Sequence, residues 1–182
     1  MRPAARAFAV TLVAVALLGA TAPGATAQHT NIQDGNDTNG ALDVRRVEVR
    51  HKATNTAVWG IETWGTWKVG RIWDRGYFFV YIDTRWGEAP EHYVLIRSTG
   101  PGVQALLFRD HAGGNDTLIR SLRVWRWNLR RVAFKLKLTG LAWGSTRTFY
   151  RWSVITTLTS EICPNVCLDA APNSGSVMQE RR

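Results

Sequence analysis

Arg131-Val132-Ala133-Phe134-Lys135-Leu136-Lys137-Leu138 alternates side-chain character residue by residue. Successive side chains of an extended strand point to opposite faces, so Val132, Phe134, Leu136 and Leu138 share one face. Arg131, Lys135 and Lys137 share the other with Ala133. A helix would scatter the same residues around its circumference. Comparable period-2 segments run from Leu42 to Arg50, Ala57 to Trp64, Tyr77 to Asp83, His92 to Arg97, Val103 to Arg109, Thr117 to Trp125 and Arg147 to Leu158. Turn formers separate them: Trp73-Asp74-Arg75-Gly76, Gly87 with Pro90, Gly100-Pro101-Gly102, Gly113-Gly114-Asn115-Asp116, and Gly140 with Gly144. The expected fold is all-β: an antiparallel, jelly-roll-like β-sandwich of about eight strands, with few or no helices in the mature chain.

Upstream of this domain, residues 1–27 have the layout of an export signal. Arg2 and Arg6 precede an apolar stretch from Ala7 to Leu18, and Ala25-Thr26-Ala27 is a small-residue cleavage site. The apolar stretch is well short of the roughly 20 residues that span a bilayer as a helix. The expected division is a signal peptide over 1–27, a flexible polar lead-in over 28–41, the β domain over 42–170 and a loose tail over 171–182. No second apolar run follows, so the expectation is a secreted, extracellular monomer with no membrane span. A mature chain of this size can bury roughly 70% of its unfolded surface without metals or a dense disulfide network.

The chain carries 23 Lys and Arg against 14 Asp and Glu, and nearly all the basic residues are arginine. An arginine excess can serve an anionic partner; it can equally reflect a GC-rich genome. No long block of like charge forms a basic tail.

Asp34-Gly35-Asn36-Asp37-Thr38-Asn39-Gly40-Ala41-Leu42-Asp43-Val44, Tyr77-Phe78-Phe79-Val80-Tyr81-Ile82-Asp83-Thr84 and Tyr93-Val94-Leu95 carry a family resemblance. Together they resemble a group of small exported actinobacterial proteins, similar in pattern to β-sandwich modules related to DOMON and family 9 carbohydrate-binding domains. The resemblance implies a β-sandwich and a non-catalytic role. In such modules the loop after the Ile-Asp-Thr strand can hold calcium; here Arg85 stands where an acidic ligand is expected.

Calcium takes six to eight oxygens. Asp83, Glu88 and Glu91 around an arginine make a poor set, and the favoured reading has Asp83 accepting from turn amides and both glutamates solvated. Asp34 and Asp37 are a second weak pair, outweighed by the expectation of a disordered lead-in. No metal and no cofactor is therefore expected. His29, His51, His92 and His111 lie far apart, with no zinc spacing. Neither a Gly-x-Ser-x-Gly turn nor a phosphate-cradling glycine loop occurs. The protein is read as not an enzyme.

Nine tryptophans are many for this length, and most need only a core role. Parity singles out the aromatics that face away from the core. Phe78, Val80 and Ile82 claim the inside of their strand, leaving Tyr77, Phe79 and Tyr81 outside. Leu118, Leu122 and Val124 claim the inside of theirs, leaving Trp125 outside beside Arg123. Residues two apart stand about 6.8 Å apart on one face, a spacing suited to stacking sugar rings. Tyr77, Phe79, Tyr81 and Trp125 are the candidate ligand-binding residues, unless a loop or a second sheet covers them. The expected function is a secreted non-catalytic binding module for extracellular or cell-wall polysaccharide. The alternative is a structural or protein-interaction factor of the envelope that meets acidic partners through arginine-rich faces. Nucleic acid is not an expected partner, although Arg123-Val124-Trp125-Arg126-Trp127 interleaves charge with stacking surface.

Cys163 and Cys167 are the only cysteines. In an exported chain they are expected to pair, because no third thiol competes and neither a Cys-x-x-Cys redox spacing nor further zinc ligands accompany them. The loop they close is tiny and contributes roughly 2 kcal/mol. Mass spectrometry of the secreted protein with and without alkylation should find no free thiol. Thermal melts of a Cys163→Ser, Cys167→Ser double variant should show stability lowered by no more than about 2 kcal/mol and the fold intact at ambient temperature.

Overall fold

A computed structural model describes residues 28–52, 55–87, 89–111, 113–141, 143 and 148–180. The export signal, Glu88 and the two C-terminal arginines lie outside the described residues. Eleven strands follow one another: β1 (His29–Gln33), β2 (Val44–Lys52), β3 (Thr56–Thr63), β4 (Gly76–Asp83), β5 (His92–Ser98), β6 (Val103–Arg109), β7 (Thr117–Arg126), β8 (Arg131–Lys137), β9 (Phe149–Ser160), β10 (Cys163–Ala171) and β11 (Val177–Glu180). Among the described residues the only helical elements are single 3-10 turns at Val69–Arg71 and Leu138–Gly140. No helix among the described residues is long and apolar enough to cross a membrane.

All pairings are antiparallel, in the order β1-β2-β3-β8-β7-β6-β5-β4-β9-β10, with β11 continuing the pairing along β9. β4 to β8 form a meander. β3 closes on one side of it and β9 on the other, so the β3–β4 and β8–β9 connections pass between the two flanks. The expected pair of separate sheets is replaced by a single sheet rolled into a near-barrel. β7 is the joint, since its first half pairs with β6 and its second with β8. At the open side β10 meets β2, where Val44 N–H donates to Asp169 Oδ2 at 2.6 Å.

All eight period-2 segments yield strands over their described residues, Arg147 lying outside these, and three further strands bring the count among the described residues to eleven. β1 lies in the stretch expected as a lead-in and β11 in the stretch expected as a tail. Both are short edge pieces held by backbone pairing rather than by an apolar face. β10 carries Pro164 and Asn165, residues that argue against a strand. Pairing with β9 breaks between Cys163 and Cys167, so the intervening residues bulge into solvent while the disulfide ties the ends of the bulge together.

Alternation drives the core. Val47 and Val49, Trp59 and Ile61, Phe78, Val80 and Ile82, and Val132, Phe134 and Leu136 face inward and are fully buried. Trp59 stacks on its cross-strand neighbour Phe134 with ring centroids 5.3 Å apart. In β7 the expected parity holds for Leu122 and Val124 but not for Leu118. A register shift opposite Leu107 and Phe108 turns Leu118 outward, where it is exposed.

His92 also faces this core. It is fully buried, and neither ring nitrogen has a partner among the described residues. Burial first, then the positive charges of Arg109 and Arg85, lower its pKa to about 4. An unfolded histidine titrates near 6.5, so between these values the unfolded chain binds more protons and stability falls as pH falls. Denaturant unfolding at pH 7 and pH 4 should show a His92→Leu variant losing about 3 kcal/mol less than the wild type over that interval.

Candidate functional site

The outward residues of β4, β5 and β6 form a continuous aromatic surface. Register sets Tyr81 beside Tyr93 and Tyr93 beside Phe108, and sets Phe79 beside Leu95, with Ile155 of β9 on its other side. Tyr77 and Phe79 are 6.3 Å apart, Phe79 and Tyr81 6.1 Å, Tyr81 and Tyr93 5.9 Å, and Tyr93 stacks on Phe108 at 5.1 Å. All five rings are half-buried, so each presents part of its surface to solvent. The exposed Leu118 extends the row at one side and the exposed Leu168 of β10 lies at the other.

Polar groups rim this surface. Tyr77 Oη donates to Asp74 Oδ1 at 2.9 Å and Tyr93 Oη to Asp116 Oδ2 at 2.7 Å. Burial, followed by the bond to Asp116, pushes the Tyr93 phenol far above its ordinary range. The bond to Asp74 raises that of Tyr77, and burial that of Tyr81. All three stay neutral at physiological pH. A shallow pocket lies at each end of the β4 ladder. One, of about 190 Å³, is bordered by Tyr81, Asp83, Pro90, Arg151 and Ser153. The other, of about 260 Å³, is bordered by Trp73, Asp74, Tyr77, Arg97 and Thr99.

Trp125 belongs elsewhere. It faces outward beside Arg123 as expected, but on the opposite half of the rolled sheet, packed edge-on against Trp127 at 6.1 Å. The four candidate residues therefore divide into a group of three and one outlier. The surface around Trp125 is charged. Arg131 covers Trp127 at 4.1 Å and crosses Gly60, where a Cβ would sit 2.9 Å from its Nη2. It reaches Glu48, which also pairs with Arg46 and Arg50. Burial alone would raise the Glu48 carboxyl, but the charge of Arg131, then those of Arg46 and Arg50, hold it below its ordinary value.

Asp83 Oδ1 accepts from the amides of Arg85 and Trp86, the turn role expected for it. Glu91 departs from the expected solvated state: its Oε2 accepts from Thr84 N and Oγ1 at 2.9 and 3.2 Å and closes the same turn. His51 meets Tyr150 Oη in the interior at 2.8 Å, and His92 is walled into the core. The second acidic pair fares differently. Asp34 and Asp37 meet Asp169 of β10, their carboxylate oxygens lying within 4.8 Å of one another.

Parity reasoning missed Tyr93, Leu95 and Phe108, whose alternation is as regular as that of β4 but whose place beside β4 depends on strand order. It also missed Trp73, exposed in the turn before β4. No protein-family model, no curated protein and no solved structure matches this chain.

Proposed function

We propose that the chain is a secreted, non-catalytic binding module that holds an extracellular or cell-wall polysaccharide on the outer face of β4, β5 and β6. The observation that supports this most is the ladder of five partly open rings, Tyr77, Phe79, Tyr81, Tyr93 and Phe108. Contiguous exposed apolar surface is costly and marks interaction sites. Rings about 6 Å apart along the outer face of the rolled sheet suit contact with successive sugars, and Asp74, Asp116 and Arg97 at the rim suit hydroxyl groups. The disulfide is compatible with an extracellular setting. The sequence resemblance to DOMON-related and family 9 carbohydrate-binding modules implies the non-catalytic role and names no ligand.

A second reading, a protein-interaction or structural factor of the envelope, is favoured by the opposite face, where Arg123, Arg131, Trp125 and Trp127 combine charge with stacking surface. Salt separates the two, because screening weakens exposed charge pairs and leaves stacking intact. In pull-down on insoluble cell-wall and plant polysaccharides, the wild type should be retained at low and at high salt. Phe79→Ala and Tyr81→Ala should each weaken retention about tenfold or more, in line with 1–3 kcal/mol for a lost large apolar contact. Retention abolished by salt and unchanged by these substitutions would favour the charged face; no retention on any polysaccharide would overturn the first reading.

A further inference from the structure

The seam between β2 and β10 carries four aspartates, and we propose that Asp34, Asp37, Asp43 and Asp169 bind one calcium ion that clasps the rolled sheet shut. Asp34, Asp37 and Asp169 each bring a carboxylate oxygen within 4.8 Å of the others, the separation expected of oxygens placed 2.3–2.6 Å from a shared Ca²⁺. Asp43 supplies an independent sign. It lies outside that group of three but is 1% exposed, neither of its oxygens has a well-formed hydrogen bond, the Thr38 amide being its one weak donor, and it lies near enough to feel the charges of the other three. Asp34 Oδ2 is likewise buried without a partner. Among the described residues no arginine or lysine makes an ion pair with any of the four; the ion pairs centre on Glu48 and Glu62 instead.

Burying carboxylates together without a counter-charge is costly. The carboxylates of Asp34, Asp37 and Asp169 repel one another with oxygens within 4.8 Å. A divalent cation relieves that repulsion.

The segment that holds these groups is already shaped. Trp64 Nε1 donates to the carbonyls of Asp34 and Gly35 at 3.3 and 2.9 Å. Asp169 accepts from Val44 N through Oδ2 and from Ala170 N through Oδ1, and Asn173 Nδ2 donates to Asp37 Oδ2. Each carboxylate keeps lone pairs beyond these bonds, and the Thr38 hydroxyl lies 3.4 Å from Asp169 Oδ1. The donor set is oxygen only, with no histidine among the four and both cysteines committed to the disulfide. That chemistry suits a hard cation rather than zinc. The irregular arrangement, drawn from a loop and a strand, suits calcium better than the near-octahedral demand of magnesium. Extracellular calcium modules work at 10⁻⁴–10⁻³ M, which fits an exported protein.

The purified full-length secreted protein, stripped with a chelator, should be titrated with CaCl₂ by calorimetry. It should also be melted with and without millimolar CaCl₂, MgCl₂ and ionic-strength-matched NaCl. One calcium per chain and a rise in Tm of about 4 °C or more are expected from saturating a site specific to the folded state. Asp43→Asn and Asp37→Asn should each weaken calcium binding at least tenfold. Asp37 is exposed, so its variant tests the site even if Asp43→Asn does not fold. Absence of calcium heat, a Tm shift matched by NaCl, or unchanged affinity in Asp37→Asn together with Asp34→Asn would overturn the proposal. Equal response to magnesium would overturn the assignment to calcium.

Discussion

The hydrogen bond from Val44 N–H to Asp169 joins the two sides of an otherwise open sheet. A rolled antiparallel sheet of ten strands in series leaves an unpaired row of backbone groups at each end, and such edges invite pairing with other chains. Here β10 turns its buried Asp169 onto the first amide of β2, so the end of the path is tied near its beginning. The same residue anchors the loop from Asp34 to Asp43, which packs over the opening with Trp64 bonded to its backbone. β10 is placed beside β9 by their own ladder; the closure of β10 onto β2 and the seat of the acidic loop rest on this contact together with the bonds from Thr156 to the Leu42 carbonyl, from Thr38 to Asp169 and from Asn173 to Asp37.

Once the sheet is rolled, one rule of alternation produces three environments. Inward parity fills the interior with Trp59, Phe134, Phe78 and Trp152. Outward parity gives an aromatic surface on β4, β5 and β6 and a charged one on β2, β3 and β8. β7 makes the change between them possible. Its register shift turns Leu118 out toward the aromatic surface, while Leu122 and Val124 pack on the core and Trp125 joins the charged surface. The two surfaces differ in chemistry: half-buried neutral rings on one side, arginines laid over indoles on the other.

Strands with an apolar face were legible in the sequence because burial writes itself as period 2; all eight such segments formed strands over their described residues. β1, β10 and β11 were not, because His29–Gln33, Cys163–Ala171 and Val177–Glu180 are held by backbone pairing on an edge, which leaves little trace in side-chain order. The outward direction of Tyr77, Phe79 and Tyr81 followed from parity within one strand. That Trp125 sits apart from them, while Tyr93 and Phe108 join them, depends on strand order, which no local pattern encodes. The acidic seam was illegible for the same reason: Asp169 stands 135 positions after Asp34, and only closure of the sheet brings them together.

Native-state hydrogen exchange at the Val44 amide tests closure most directly, because local opening exposes amides at rates that report their own stability. The account predicts that Val44 exchanges as slowly as the paired amides of β3 and β8. Asp169→Ala should speed its exchange by at least tenfold while leaving Val80 and Val94 protected. Exchange at the rate of an exposed loop amide in the wild type would mean that the sheet is open at this edge and would contradict the account.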